Sequence, residues 1–372
     1  MYKVLHVIGS LNLGGAETML FKLLSFSNCD AKNIAVVSLL PAGYYSSMIE
    51  SLGIKILHLD IKKKPILSVI RYIKFSRNFC PEITQSWMYH ANVFAVLFKL
   101  PARTSKIVFN VRKSLTNIKS NKIFTRFLIH INARLSNFSD AVVNNSRQSQ
   151  VQHNKLGFKA VKDIWIPNGF DDKTFFPRSD RKEILKKLNI PNSSKVCGMF
   201  ARYHHMKNQK GFIKVASILN QQSDHNWFFI LAGTDCDNTN LELTTLINQY
   251  GMADKFKLLG PIKTYKYYSA LDVYLSTSIE EGFPNVVGEA MFSGITPVVT
   301  NVGGCQSLVS HYGIVEESED YYSLAKSCDE TLSLPAHKKQ EMVSYVVEKY
   351  SISKIYDDYQ DLYRQLIVKG SL

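Results

Sequence analysis

Two glutamates, Glu281 and Glu289, are separated by seven residues in the stretch EEGFPNVVGEAM, which spans residues 280–291. An apolar run, DVYLSTS, precedes them and predicts a strand, and the pattern after it predicts a helix that begins at 285–287. Glu281 would then lie in the loop above a sheet, and Glu289 about one turn into the helix. Carboxylates that face one cleft in this way accept hydrogen bonds from sugar hydroxyls. Alternatively, Glu281 is an ordinary loop charge and Glu289 a residue favoured by the helix dipole.

The residues between the two glutamates form a turn into the predicted helix. Gly282 and Pro284 shape this turn. The first N–H groups of a helix have no partner within it, so those at 283–286 can bind an anion. We therefore expect an anion and a sugar at the same loop, with contacts from Gly282, Phe283, Pro284, Asn285 and Val286.

Two further loops carry groups suited to a diphosphate. In ARYHHMKNQKGF a strand ends near Phe200 and a helix starts near Gln209, with Arg202 and Lys207 in the loop between them. Two cations beside a helix start stabilise a departing phosphate. The alternative is that both side chains are solvated loop charges. In VIGSLNLGGAETML, Gly14 and Gly15 precede another helix and let the backbone approach an anion, or form a plain tight turn. Their spacing is not GxGxxG, which argues against NAD.

The elements that position these loops alternate regularly. Short aliphatic runs such as KVLHVI, NIAVVSLL and KIVFNV alternate with amphipathic segments, and the alternation resumes after residue 190. This pattern predicts an α/β fold of two doubly wound parallel sheets, joined by a turn-rich linker at 165–180. Ligands bind at the carboxyl ends of such strands, in a cleft that two such domains share. The apolar spacing in SISKIYDDYQDLYRQLIVKG predicts a closing helix at the C-terminus.

The net charge of +14 lies in the first half of the chain. Residues 1–168 hold 23 lysines and arginines against 7 aspartates and glutamates, and no acidic residue stands between Glu82 and Asp140. Such a surface suits anionic lipid, a phosphorylated substrate or nucleic acid, or is simply solvated. Neither a signal peptide nor a membrane-spanning run is evident, and the six scattered cysteines fit reduced, cytosolic thiols. Asp235-x-Asp237 imitates a metal-binding motif, but we expect no metal.

Taken together, these motifs resemble glycosyltransferase family 4. The resemblance lies in EEGFPNVVGEAM with TNVGG after it and ARYHHMKNQKGF before it, and extends through GSLNLGGAETML, SWMYHANVFAVLFKLP and IPNGFDDKTFFP. It covers about residues 3–315. It implies the GT-B fold, with an acceptor-binding domain at 1–168, a nucleotide-sugar-binding domain at 169–345 and a closing helix at 346–372.

The resemblance also implies roles for individual residues. Glu281 would bind a hydroxyl of the transferred sugar and Glu289 the nucleotide ribose. Arg202 and Lys207 would hold the diphosphate, and Gly14 and Gly15 would lie close to it. Where related sequences often have Arg-His-Ser, this chain has Arg112-Lys113-Ser114, so His90 is an alternative acceptor-side histidine or a half-buried structural one. The possible acceptor-side residues are His90, Arg112 and Lys113.

The expected function is therefore that of a metal-independent retaining hexosyltransferase without a cofactor. It would move a sugar from a nucleotide diphospho-sugar, most simply a UDP-sugar, to a glycan or polyprenyl-diphosphate-linked acceptor in O-antigen or capsule biosynthesis. A helix with Ile123, Phe127, Arg126 and Arg134 would rest on an anionic membrane at its cytoplasmic face, or pack on the sheet. The alternatives are a GT-B-fold epimerase and a basic nucleic-acid-binding protein, although no nucleic-acid-reading motif is present.

Overall fold

A computed structural model describes residues 2–26, 31–103, 106–115 and 123–368 of the chain. The chain divides into two compact units. The first comprises Met1–Gly169 and Ile352–Leu372, and the second comprises Phe170–Ser351. Lys119, Lys122 and Cys29 lie outside the described residues.

The first unit is built on a seven-stranded sheet in the order β3-β2-β1-β4-β5-β6-β7, and every pairing is parallel. Helices follow most of its strands, as expected for crossover connections. The elements in chain order are β1 (Val4–Ile8), α1 (Gly15–Phe26), β2 (Ile34–Ser38), α2 (Ser46–Glu50), β3 (Lys55–His58), α3 (Pro65–Phe79), β4 (Ile83–Trp87), α4 (Met88–Leu97), β5 (Lys106–Val111), α5 (Ile123–Leu135), β6 (Ala141–Asn144), α6 (Arg147–Lys155) and β7 (Lys162–Trp165).

The second unit is built on a six-stranded parallel sheet in the order β10-β9-β8-β11-β12-β13. Its elements in chain order are α7 (Arg181–Lys187), β8 (Lys195–Phe200), α8 (Gln209–Gln222), β9 (Trp227–Ala232), α9 (Leu241–Gln249), β10 (Phe256–Leu258), β11 (Val273–Ser276), α10 (Asn285–Phe292), β12 (Thr296–Thr300), α11 (Cys305–Val309), β13 (Ile314–Glu316), α12 (Tyr321–Leu332) and α13 (Ala336–Tyr350). The predicted fold class, two doubly wound α/β units, is confirmed.

The central strands β1 and β4 are buried along their whole length because both faces of the sheet are covered. In β1, Val4 and Ile8 pack in one core cluster with α1, whereas Leu5 and Val7 pack in another with Tyr72 of α3 and residues of α4. Alternate residues of a strand point to opposite faces, so one five-residue strand supplies both cores.

The last helix, α14 (Ile352–Val368), belongs to the first unit. Its Ile355 and Leu362 are buried in the same cluster as α1, and the Tyr359 hydroxyl accepts a hydrogen bond from Asn110 Nδ2 at 2.8 Å. The predicted boundary at residue 346 falls inside α13, and the chain returns to the first unit at Ile352 instead. The closing helix is thus part of the first unit's core.

In each sheet the strand order reverses once, between β1 and β4 in the first unit and between β8 and β11 in the second. The crossover helices on the two sides of such a point leave a crevice at the carboxyl ends of the strands, where ligands of open α/β sheets bind. The loops after β8 and β11 carry Arg202, Lys207 and Glu281, the loop after β1 carries Gly14, and His90 lies on α4, which directly follows β4.

Candidate active site

Lys207 and Glu281 meet at the strand-order reversal of the second unit. Lys207 ends the short 3-10 turn after β8, and Glu281 lies in the loop after β11, the adjacent strand. Lys207 Nζ donates to Glu281 Oε1 at 2.5 Å. Glu281 is buried, with 8% of its surface exposed, so its charge is held in place by the lysine and not by water.

Further contacts fix the position of Glu281. Ser278 Oγ donates to Glu281 Oε1 at 2.9 Å. After β12, Gly303 has a φ of +56°, and a Cβ at this position would lie 2.1 Å from the Glu281 carbonyl oxygen. Only glycine permits this backbone approach. Gly304 N donates to Gly282 O at 3.1 Å, which joins the two loops. Glu281 is therefore a pre-positioned carboxylate at the edge of the sheet.

The loop after β8 is tied down by its own residues and by β11. Asn208, with a φ of +54°, caps α8 by accepting a hydrogen bond from Gly211 N at 3.1 Å. Thr277 Oγ1 donates to Asn208 O at 2.8 Å, and Ile279 N donates to Met206 O at 2.9 Å. These bonds hold Lys207 against the neighbouring loop.

Arg202 is exposed in the same loop, and its backbone oxygen accepts a bond from Gln209 Nε2 at 2.8 Å. Burial lowers the pKa of His204, and the neighbouring His205, Arg202 and Lys207 lower it further. Arg202 and Lys207 lie in the same loop, and the charges of both act on the His204 imidazole. The structure brings the two predicted cations together, and a positive field of this kind attracts a diphosphate.

Glu289 lies on α10, the helix after β11, and its side chain is half-buried. Its Oε2 accepts hydrogen bonds from the Tyr268 hydroxyl at 3.0 Å and from Thr264 Oγ1 at 3.2 Å. Burial raises the pKa of Tyr268 well above its ordinary value, and the Glu289 carboxylate raises it further, so the phenol remains a donor. The carboxylate therefore has a fixed orientation.

The turn before α10 is partly structural. Phe283 is buried, with its ring centroid 6.1 Å from those of Phe170 and Tyr350. Asn285 N donates to Phe283 O at 3.0 Å, so this amide is engaged within the turn. Gly282, Pro284 and Val286 surround it, and α10 begins at Asn285 as predicted. The predicted anion contacts of this segment stay a prediction.

Of the possible acceptor-side residues, Arg112 is bound to its own unit. Its guanidinium donates to Asn168 Oδ1 at 2.6 and 2.9 Å, to Pro167 O at 3.1 Å and to Asn110 Oδ1 at 2.7 Å. It also donates to the Tyr359 hydroxyl at 3.0 Å. Arg112 thereby connects β5 and α14 with residues 167–168, which lie just before the first stretch of the first unit ends at Gly169. Such a network marks it as a positioning residue, with few donors left for a substrate.

His90, Lys113 and the glycines lie at other points of the first unit. His90, on α4, is exposed, and partial desolvation together with the charge of Lys62 lowers its pKa. Lys113 follows β5, and its backbone oxygen accepts a bond from Ser149 Oγ. Gly15 begins α1, and Thr18 N bonds to Gly14 O at 2.9 Å, so these glycines form the helix start that was predicted.

Sequence reasoning missed four residues that position the carboxylates: Ser278, Gly303, Thr264 and Tyr268. Gly303 stands in TNVGG, one of the stretches that carried the resemblance, so a glycine shortly after a strand was a signal, whereas Ser278 ends the predicted strand DVYLSTS and had none. Tyr268 and Thr264 precede Glu289 by more than 20 residues and lie in 3-10 segments. No periodicity marks them.

In the Asp235-x-Asp237 motif, the second aspartate forms hydrogen bonds within its own loop. Asp237, in the loop after β9, accepts hydrogen bonds from Thr239 N at 2.9 Å and from Thr239 Oγ1. These bonds lower the pKa of Asp237. Asp237 therefore closes its own turn.

Within the described residues no helix has the length and apolar character required to cross a bilayer.

The family described as "Glycosyl transferases group 1" matches residues 180–349, nearly all of the second unit. Lipopolysaccharide core biosynthesis mannosyltransferase LpsB of Rhizobium meliloti (strain 1021) is 31% identical over 156 residues. That match covers 40% of this chain and 44% of LpsB, so it spans less than half of either protein.

A relative that matches over more of its length comes from Campylobacter jejuni. It is named N,N'-diacetylbacillosaminyl-diphospho-undecaprenol alpha-1,3-N-acetylgalactosaminyltransferase, and it is 25% identical over 82% of this chain and 83% of its own. Among solved structures, Anabaena HepE in complex with UDP superposes with a TM-score of 0.85 at 21% identity, covering 98% of this chain and all of that one. This structural likeness establishes the fold.

Proposed function

We propose that this chain, whose residues 180–349 belong to the group 1 glycosyltransferases, transfers a sugar from a nucleotide diphospho-sugar to a hydroxyl group with retention of anomeric configuration. The observation that carries this proposal is the buried Glu281 carboxylate held by Lys207 at the strand-order reversal. A carboxylate accepts hydrogen bonds from sugar hydroxyls, and the adjacent cations suit a diphosphate. The carboxylate for the sugar and the cations for the diphosphate therefore lie at the same edge of the sheet.

In this proposal Arg202 and Lys207 stabilise the negative charge that develops on the leaving diphosphate. The bond between the anomeric carbon and the diphosphate oxygen breaks, the acceptor oxygen bonds to the same face of that carbon, and the departing diphosphate takes the acceptor proton. Glu281 holds a hydroxyl of the transferred sugar and Glu289 the ribose of the nucleotide. No metal or cofactor takes part, because the two cations supply the positive charge.

The donor we propose is a UDP-sugar. HepE, which has the same fold, was solved with UDP and with UDP-glucose. Glu289 lies on α10 with its carboxylate oriented by Tyr268 and Thr264, and a carboxylate accepts hydrogen bonds from ribose hydroxyls. Gly282, Pro284, Asn285 and Val286 line the start of the same helix, and we assign them to the donor.

The acceptor we propose is a glycan or a polyprenyl-diphosphate-linked sugar in surface polysaccharide biosynthesis. The Campylobacter relative is named for a diphospho-undecaprenol acceptor. The first unit is strongly basic, and at the start of α5 it exposes Ile123, Phe124 and Phe127 by 82%, 66% and 61%. Apolar side chains among cations suit an anionic membrane surface, so we place the enzyme peripherally on its cytoplasmic face.

A thermal-shift screen with UDP, GDP, ADP and CMP tests the donor assignment. At 100 times its dissociation constant, a ligand that binds only the folded protein adds about 2.7 kcal/mol to the free energy of unfolding. We expect UDP to stabilise the wild type and Arg202→Ala to lose most of this shift. Lys210→Ala is the matched control, because Lys210 is an exposed cation on α8 that pairs with Glu242.

Product analysis tests the reaction. The anomeric configuration of the new linkage, read by NMR, should equal that of the donor. An inverted product would contradict the retaining mechanism. Formation of an epimerised nucleotide sugar without any acceptor would identify the chain as an epimerase instead.

A further inference from the structure

Two neighbouring cavities lie on the first unit, at the carboxyl ends of β1 to β4. The inner one, of about 340 Å³, is lined by the loop after β1 with Ser10 and by Glu17 on α1. The outer one, of about 610 Å³, lies between α3 and α4. Leu39, Ile61 and His90 line both cavities. They therefore form one continuous groove with an inner and an outer end.

The outer end is apolar. His90 apart, every side chain that lines it is a hydrocarbon or an aromatic ring, including Ile66 and Ile70 of α3 and Val93 and Leu97 of α4. Ile66, Ile70 and Leu97 are exposed by 78%, 58% and 61%. A soluble surface seldom leaves such side chains together without a binding role.

The inner end adds a few polar and charged side chains to an apolar lining, and the rim beside it is basic. Lys62 lines the inner cavity together with Ser10 and Glu17. Lys63 and Lys64 follow it directly before α3, and residues 61–81 contain six lysines and arginines but no acidic residue. Such a rim attracts a phosphate group, and Lys62 supplies a cation at the point where the groove turns from polar to apolar.

We propose that the groove between α3 and α4 binds the isoprenoid chain of a lipid-linked acceptor, with its diphosphate at Lys62. This assignment rests on the proposed function, which it deepens by giving the acceptor's lipid a site. An amphiphile of this class carries a hydrocarbon chain and an anionic group in series, and the groove offers an apolar length and a cation in the same order. The sugar then lies toward the loop after β1.

Titration calorimetry with two water-soluble probes tests this assignment. Farnesyl diphosphate carries three isoprene units and dimethylallyl diphosphate one, with the same anionic group. Burial of even two additional carbons is worth about tenfold in affinity. We therefore expect the wild type to bind farnesyl diphosphate at least about tenfold more tightly, at concentrations below its aggregation threshold.

Two substitutions on α3 separate the groove from its surroundings. Ile70 lines the outer cavity and Leu67 does not, yet they are exposed by 58% and 50% on one helix. Ile70→Glu should abolish the preference for the longer chain, whereas Leu67→Glu should leave it unchanged. Lys62→Ala should weaken both probes by a similar factor and preserve their ratio.

Several outcomes would overturn the inference. Equal affinity for the two probes would show that the groove takes no chain, and an equal loss in Leu67→Glu would indicate a membrane-contact face instead. A dimer that Ile70→Glu dissociates would identify a second copy as the occupant. UDP binding is measured on the same samples: if UDP binds but the chain preference is absent, only this inference fails, whereas absence of UDP binding counts against the proposed function.

Discussion

The strand-order reversals of the two units share one topology but differ in chemistry. In the second unit the crevice holds an ion pair between the half-buried Lys207 and the buried Glu281, and a fixed carboxylate, Glu289. In the first unit the corresponding place leads from Ser10 and Lys62 into an apolar groove. The backbone supplies the crevice in both, whereas the loops decide what it binds. A polar donor and an amphiphilic acceptor account for the difference.

The largest effect on sugar transfer should come from replacing Lys207 in the second unit, and replacing Lys62 in the first unit provides the comparison. We expect Lys207→Met to lower kcat/KM for sugar transfer by about 100- to 1,000-fold, because it removes a charge from the leaving diphosphate. Lys62→Met should instead raise the KM for a lipid-linked acceptor with a small change in kcat. Steady-state kinetics with each substrate varied in turn measures both.

Two further variants keep this result interpretable. Lys207→Met leaves the buried Glu281 without its cation, which destabilises the fold. Glu281→Gln preserves the shape of the side chain and should also lose most activity, and thermal unfolding checks that both variants are folded. Lys210→Met, on exposed α8, should retain wild-type rates. If Lys62→Met lowered kcat as strongly as Lys207→Met, the contrast between the two crevices would be wrong.

The second prediction concerns the response of the two units to acid. His6 and His153 are both buried in the first unit, and burial lowers their pKa to about 3 and about 4, although a backbone bond to Ser149 partly offsets this for His153. The described histidines of the second unit are half-buried or exposed. Acid should therefore destabilise the first unit more than the second.

The direction in which stability changes with pH follows from which state of the protein binds protons. Below pH 6.5 the unfolded chain protonates these histidines while the folded unit does not, so their stabilisation is complete above pH 6.5 and is lost as pH falls toward 4. Each contributes a slope of about 1.4 kcal/mol per pH unit in that window.

Hydrogen exchange, corrected for intrinsic rates, should show protection falling more in β1 and β6 than in β8 between pH 7 and pH 5. His153→Gln should reduce the pH slope of the first unit, and the exposed His225→Gln should not change it. Equal losses in both units would contradict the assignment.

The sequence predicted the elements whose patterns are strong and missed those whose patterns are weak. The runs KVLHVI, NIAVVSLL, KIVFNV and DVYLSTS predicted β1, β2, β5 and β11, but no such run marked β7 and β13. Both are edge strands of four and three residues, and each of their side chains is only half-buried. An edge strand needs no continuous apolar run, and these two short strands carry no periodic signal.

The site divides in a similar way. Lys207 and Glu281 were each predicted as site residues, because each lies in a loop after a strand and the resemblance links their motifs, but the ion pair between them was not predicted. The contacts of Glu289 were not predicted, because Tyr268 lies in a 3-10 segment and approaches Glu289 only in the folded chain. Arg112 forms hydrogen bonds with Asn168 and Tyr359, which lie 56 and 247 positions away from it in the sequence. Such distances leave no local signal in a sequence.

The smallest effect should come from the carboxylate that holds the nucleotide. Glu289→Gln retains shape and one acceptor oxygen but loses the charge, and a charge-assisted hydrogen bond is about twice as strong as a neutral one. We expect the KM for the donor to rise about tenfold, which corresponds to about 1.4 kcal/mol, with little change in kcat because the ribose lies away from the bond that breaks. Glu280→Gln, next to Glu281 in the loop after β11, is the matched carboxylate control. A fall in kcat without a change in donor KM would place Glu289 at the reacting sugar, and the donor would then lie in the opposite direction along the second unit's crevice.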